Sequence, residues 1–366
     1  MPADRQLIQV VPRLWPTRCG VSDHAIALAA ELKTGCGIDS SFIVLNSGER
    51  PDLPYRVTHC PQDRLLEACV ALSGDQPAAI LVHLSGYGYS ADGAPTILAA
   101  ALERVKADGR FPIAVFFHEL HASGMPWTSA FWYGQRQKRA YRRIARACDL
   151  PVTSARVFAG WIERQTATPV QCMPVFSQIG ETEQPLPFAG REPAMAIFGL
   201  AGTRKRVYPE LDKLGDTFQK LGIRKIVDIG PPIATPRHVN GIQLECVGAL
   251  PTAEIDRLLA HTAFGYLAYP PNCLAKSGVF AAYTAHGIIP VIAQGFREEF
   301  DGLKDGVHVL SPQTARRMSP ENLEDCSQSA WRWYSGHTLR DHAAIYGRWL
   351  QQAAPDKEKI VEREHA

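Results

Sequence analysis

The chain has 366 residues, 46% of them hydrophobic and 21% charged, which excludes a disordered or fibrous protein and exceeds the size of one ordinary core. Lysine and arginine total 39 against 37 acidic residues, so the formal charge of +2 supplies no general field for capturing nucleic acid. Nine scattered cysteines without a Cys-x-x-Cys pair argue against a disulfide framework or a cysteine zinc site and point to reduced thiols in a cytoplasm. Asp4, Arg5 and Pro12 interrupt the first apolar run, which is unlike a secretory signal, and no stretch has the roughly 18 apolar residues of a spanning helix. The expectation is a cytoplasmic protein, at most peripheral to a membrane.

Leu7 to Val11 reads as a buried strand, followed by a loop through Arg18, Cys19 and Gly20 and a helix with apolar positions Ile26, Ala29, Ala30 and Leu32. Strands follow at Ser40–Leu45, Ala78–Leu84 and Ile113–Phe117, separated by helices at Leu65–Leu72 and Ala94–Lys106. Such alternation predicts a parallel sheet covered on both faces, with ligands beyond the carboxyl ends of its strands. Those ends carry Gly20, the segment from His83 to Tyr89, and His118-Glu-Leu-His121. A helix over 132–148 then places Arg136, Lys138, Arg139, Arg142, Arg143 and Arg146 opposite Tyr133, Tyr141, Ile144 and Cys148. This face suits a solvated surface, or contact with anionic lipid where a lipid-linked acceptor is presented.

Gly180 to Pro193 reads as a linker, rich in Glu, Pro and Gly. The alternation restarts with a strand at Ala194–Phe198, a loop through Gly199 and Gly202 to Arg204-Lys205-Arg206, a helix near Pro209–Leu221 and a strand at Lys225–Ile229. Ile242–Val247, a helix over Thr252–His261 and a strand at Phe264–Ala268 follow. Next come a polar turn at Lys276-Ser277-Gly278, a helix from Val279 to His286, a Gly287 stop and a strand from Ile288 to Ala293. The expected organisation is an N-terminal Rossmann-like domain over 1–180, a second over 190–335, and a C-terminal helix in 336–366 that packs back on the first.

A helix start leaves backbone N–H groups unpaired at the positive end of its dipole, and Lys276 beside Gly278 adds a charge and close access, so phosphate suits this turn. Ser277 as a plain helix cap and Lys276 as a solvated charge are the alternative. Arg204, Lys205 and Arg206 would neutralise a departing diphosphate, or form a solvated basic turn. His118 at a strand end would donate to a sugar hydroxyl or leaving oxygen, or serve packing. His118-Glu-Leu-His121 lacks the helical spacing of a metalloprotease motif, and no Asp-x-Asp occurs in the chain, so no metal is expected. Tyr87, Tyr89 and Trp127 would stack on an acceptor sugar or lie buried. Asp23 reads as a first-turn carboxylate that complements the helix dipole or as a general base, with His24 beside it.

Taken together, Cys19-Gly-Val-Ser-Asp-His24, Phe198-Gly199 followed by Arg204-Lys-Arg206, the run from Val247 to Ala260, and Gly287-Ile-Ile-Pro-Val291 resemble the GT-B glycosyltransferases. The resemblance is strongest to the retaining, family 4-like group whose second domain carries the donor site. It implies an α/β, GT-B protein: two Rossmann-like domains with parallel sheets facing across a cleft, the first for a glycan, lipid-linked or small-molecule acceptor and the second for a nucleotide sugar. It also implies transfer with retention, no cofactor beyond the nucleoside diphosphate sugar itself, and no metal. By resemblance His118, Arg204 and Lys205 would be catalytic. Gly20, Gly199, Gly202, Arg206, Lys276, Ser277 and Gly278 would bind donor, and Asp23, His24, Tyr87 and Trp127 acceptor. The family's glutamate pair would fall near Leu274 and Ala282, neither of which is acidic, and the closing motif has one extra residue. A GT-B-like binding protein without turnover and a sugar-nucleotide epimerase are the alternative readings.

Overall fold

Strand β1 (Gln6–Val11) is buried along its whole length, which its apolar residues Leu7, Ile8, Val10 and Val11 favour and which fits a strand covered on both faces. The computed structural model describes residues 6–14, 19–46, 52–122, 129–211 and 214–352, with side chains outside 129–132. The described residues divide into two compact units, one of those within 1–173 together with 339–352, the other of those within 174–338.

In the first unit β1 leads to α1 (Gly20–Cys36), β2 (Asp39–Val44), β3 (Arg56–His59), α2 (Leu65–Ser73), β4 (Ala78–Leu84), α3 (Gly86–Tyr89) and α4 (Thr96–Asp108). There follow β5 (Ile113–Phe117), α5 (Ser129–Ala147), β6 (Leu150–Thr153), α6 (Arg156–Glu163) and β7 (Gln171–Cys172). Among the described residues these strands form one seven-stranded sheet, ordered β3-β2-β1-β4-β5-β6-β7, with every pairing parallel. The chain runs outward from β1 through β2 and β3, then resumes on the other side of β1 at β4. The order therefore reverses between β1 and β4, and a crevice opens beyond the carboxyl ends of such a pair.

Register sorts the side chains of this sheet. Gln9 pairs with Leu81, Leu81 with Ala114, and His83 with Phe116, so period-two alternation puts Gln9, His83, Phe116 and His118 on one face. Ile8, Val10, Ile80, Val82, Leu84, Ile113, Val115 and Phe117 make the apolar core on the other.

The second unit runs β8 (Glu192–Phe198), α7 (Ala201–Lys205), α8 (Tyr208–Leu211), α9 (Gly215–Lys220), β9 (Lys225–Ile229), β10 (His238–Val239), β11 (Ile242–Gly248), α10 (Thr252–His261) and β12 (Thr262–Leu267). A 3-10 turn (Pro271–Lys276), α11 (Gly278–Ala285), β13 (Ile289–Ile292), α12 (Pro312–Ala315) and α13 (Pro320–Tyr334) complete it. Its sheet has the order β10-β11-β9-β8-β12-β13 and is parallel except at the β10–β11 edge. Here the order reverses between β8 and β12. The last helix, α14 (Leu339–Gln352), groups with the first unit, where Gly347 lies against Cys36 at the end of α1.

The structure departs from the expected helix over 209–221, which is divided into α8 and α9, with residues 212–213 outside the described set. Gly215 opens the second piece and Gly222 ends it at φ 68°, a backbone state that costs glycine little. The edge strands β3 and β7 are additional; only four and two residues long, they carry too little apolar alternation to be read from sequence. Among the described residues no helix is long and apolar enough to cross a membrane.

Candidate functional site

In the second unit, the loops after β8 and β12 meet at the reversal of strand order. Gly199 adopts φ 129°, and a Cβ placed on it would stand 3.2 Å from Val279 Cγ2, in the first turn of α11. The loop after β8 thus lies against the start of that helix, an approach that glycine permits. At Gly278, the first residue of α11, a Cβ would meet nothing within 4 Å, so the backbone there faces open space. Lys276, half-buried, immediately precedes the Ser277 cap. Gly202 is exposed and equally open, and Lys205 and Arg206 are exposed beside it. Helix α11 therefore presents its first turn, ahead of the capped Phe280 N–H, and the positive end of its dipole at the place where a parallel sheet binds ligands.

Two of the donor-side assignments are corrected. Arg204 is only 1% exposed, and its guanidinium is committed inside the unit. It donates to the Asp228 carboxylate and the Pro231 carbonyl, and its Nε donates to the Gly199 carbonyl at 2.9 Å. It ties the loop after β8 to the end of β9 and does not face a departing diphosphate. The neighbouring Tyr208 hydroxyl donates to the same carboxylate, and burial raises the Asp228 pKa against the opposing pull of Tyr208 and Arg204. Ser277 is 3% exposed, and its Oγ accepts the Phe280 N–H at 3.2 Å, so its side chain caps α11 rather than reaching outward. Leu274 and Ala282, where the family's glutamates would fall, are both fully buried in an apolar cluster with Phe280 and Ile292.

In the first unit the structure collects residues that lie far apart in sequence. Gly20 begins α1, exposed and with open space where a Cβ would be, and Asp23 is exposed in the first turn. His24 is corrected: one residue on, the helix has turned about 100° and its ring points at the sheet, 1% exposed, so it cannot meet an acceptor from solvent. Its ring centroid stands 4.9 Å from that of His118, 5.6 Å from His83 and 4.7 Å from Phe116. His118 follows β5, half-buried, with its backbone N–H donated to the Leu84 carbonyl at 3.0 Å. His83 Nδ1 and His118 Nε2 are 3.3 Å apart, and His83 Nε2 is 2.8 Å from Gln9 Oε1. Burial lowers the His83 pKa to about 3, and burial with the neighbouring histidines lowers that of His24, so both imidazoles are neutral near pH 7.

Tyr87 is 56% exposed on α3, its hydroxyl receiving a hydrogen bond from Gln137 Nε2 at 3.3 Å, whereas Tyr89 is buried and donates to the Val10 and His83 carbonyls. Trp127 lies outside the described residues. On α5, Arg143 is bonded to Glu103 by two nitrogens at 2.8 and 2.6 Å, and Arg136 lies 3.1 Å from Asp92. Sequence reasoning passed over Gln9 and His83 as a pair. The available signal was a polar residue inside each of two otherwise apolar strands.

No protein-family model matches the sequence, and no curated protein does so. Solved structures resemble it in fold. The pneumococcal O-GlcNAc transferase GtfA in complex with UDP and GlcNAc superposes with a TM-score of 0.62 at 8% identity, over 95% of this chain and 99% of that one. OtsA in its apo form gives 0.59 at 11% identity, over 96% and 100%. An alpha-glucosyltransferase with UDP and a 13-mer DNA gives 0.57 at 12% identity, over 95% and 98%. At these identities the likeness concerns architecture, and with the two parallel-dominant sheets it gives the chain the GT-B fold shared by these glycosyltransferases.

Proposed function

We propose that the protein is a glycosyltransferase that takes its sugar from a nucleoside diphosphate donor. The observation that carries this reading is the convergence of the Gly199 loop and the open Gly278 start of α11 at the point where strand order reverses between β8 and β12. Glycine at both positions lets a diphosphate approach backbone N–H groups, and Lys276, Lys205 and Arg206 bring charge to the same loops. These groups would neutralise the diphosphate as the glycosidic bond breaks, a charge that grows in the transition state and is therefore worth stabilising there. With Leu274 and Ala282 buried and apolar, the nucleotide ribose would be met by backbone groups of the 271–276 turn.

The first unit would carry the acceptor, a glycan, lipid-linked or small molecule, with Asp23 and Tyr87 on its exposed rim and His118 at a strand end. Retention of configuration is the outcome expected from the family 4-like resemblance. UDP is the first nucleotide to test, because two of the superposed structures contain it.

The same two apolar positions favour a second reading, a GT-B-like protein that binds nucleotide or glycan without turnover. Incubation with a panel of nucleoside diphosphate sugars, with and without candidate acceptors, separates the readings. Acceptor-dependent release of nucleoside diphosphate supports transfer. Acceptor-independent conversion indicates an epimerase, and binding without conversion indicates the second reading.

A further inference from the structure

From three elements of the first unit, His24 on α1, His83 on β4 and His118 after β5 bring one ligand nitrogen each to within 4.8 Å of one another. We propose that these three imidazoles form a binding site for a divalent transition-metal ion of the zinc class. The ring centroids make a nearly regular triangle, with sides of 4.9, 5.6 and 5.6 Å. Ligands at about 2.0–2.1 Å on a tetrahedral cation stand roughly 3.3 Å from each other. That is the separation already present between His83 Nδ1 and His118 Nε2, 3.3 Å.

The surroundings orient His83 as a metal requires. Gln9 donates through Nε2 to Ser40 Oγ at 3.1 Å, which turns its Oε1 toward His83, and His83 Nε2–H donates to that oxygen at 2.8 Å. His83 is thereby held in the tautomer whose Nδ1 carries a lone pair, and that nitrogen faces His118. An amide oxygen behind a ligating imidazole is the usual outer support of such a site, fixing the ring and raising its basicity. Phe116 packs against both His24 and His118, at centroid distances of 4.7 and 4.4 Å, and screens the donors from water. Three nitrogen donors without a thiolate suit zinc, nickel or copper. They leave one coordination position for water or a substrate oxygen, and half-buried His118 at the carboxyl end of β5 marks the side from which such a ligand would enter.

This site uses no group of the diphosphate-binding loops, and it stands whether or not the chain transfers sugar. The test uses the full chain, stripped with a chelator, dialysed, and titrated with Zn2+ by calorimetry and with Co2+ by visible absorption. One equivalent per chain is expected, with the intense ligand-field bands of four-coordinate Co2+ and no thiolate charge transfer. His83→Ala and His118→Ala should each weaken binding by about 100-fold or more, and Gln9→Leu by roughly 10–100-fold through loss of the outer support. If His83→Ala fails to fold, His118→Ala decides, since that residue is half-buried at a strand end. Absence of a one-equivalent site in the parent protein overturns the proposal. So does equal binding by the variants, or a thiolate band showing that a cysteine holds the ion.

Discussion

The guanidinium of Arg204 and the carboxylate of Asp228 form an ion pair sealed inside the second unit, the two side chains being 1% and 3% exposed. Arg204 is the fourth residue of its five-residue helix and Asp228 lies on β9, so the pair joins the segment after β8 to the neighbouring strand, and the Gly199 carbonyl is drawn into the same arrangement. Gly230 closes it from below at φ 151°, where a Cβ would collide with the Gly199 carbonyl oxygen. The loop after β8 is thus held in shape by a cation buried within the unit.

Removing one partner of such a pair leaves a buried charge without compensation. Arg204→Ala should therefore cost about 3–5 kcal/mol of unfolding free energy, read from urea denaturation, and Asp228→Ala should cost a similar amount. Lys205→Ala and Arg206→Ala, at exposed positions, should stay within about 0.5 kcal/mol. A loss below about 1 kcal/mol for Arg204→Ala would mean that the pair is solvated and this account of the loop is wrong.

The nucleotide binding proposed at the start of α11 would be measurable without an acceptor. A matching nucleoside diphosphate at about 100 times its dissociation constant should stabilise the fold by roughly 2.7 kcal/mol, visible in a thermal-shift screen that begins with UDP. Lys276→Ala should shrink that shift at fixed ligand concentration while the ligand-free melting point stays near that of the parent. A clear shift that survives Lys276→Ala and Gly278→Val together would move the diphosphate elsewhere.

Where His118 meets the sugar rather than a metal ion, His118→Ala should lower the rate of transfer by about 10²–10⁴-fold, the usual range for a positioned acid or base. Far-ultraviolet circular dichroism should remain that of the folded parent, because the side chain is half-buried at a strand end and lies outside the main apolar core. Unchanged turnover in the folded variant would remove His118 from the reaction.

The cationic face of α5 offers a membrane test. Arg136 and Arg143 are tied to Asp92 and Glu103 within their own unit, so the attraction to lipid would rest on Lys138, Arg139, Arg142 and Arg146. If this face is peripheral to membranes, liposome flotation should rise with anionic lipid content and fall at high salt, as screening of surface charge demands. Flotation that ignores anionic lipid, or none at all, counts against the contact.

Local pattern was enough to identify the alternating strands and helices and hence two α/β sheets, because the spacing of apolar residues reflects which face of each element is buried. It also located Gly199 after a strand and Lys276 and Gly278 at a helix start, since glycine after a strand and a polar cap before a helix are signals carried by adjacent residues. What an individual charged or polar side chain faces depends on partners distant in sequence. Arg204 looked like an exposed cation until β9 brought Asp228, 24 residues away, against it. His24 looked like part of a rim until helical rotation and sheet register set it beside His83 and His118. Only the parallel order β1-β4-β5 with α1 over one face gathers those three imidazoles and Gln9, and no spacing along the chain encodes a meeting of four separate elements.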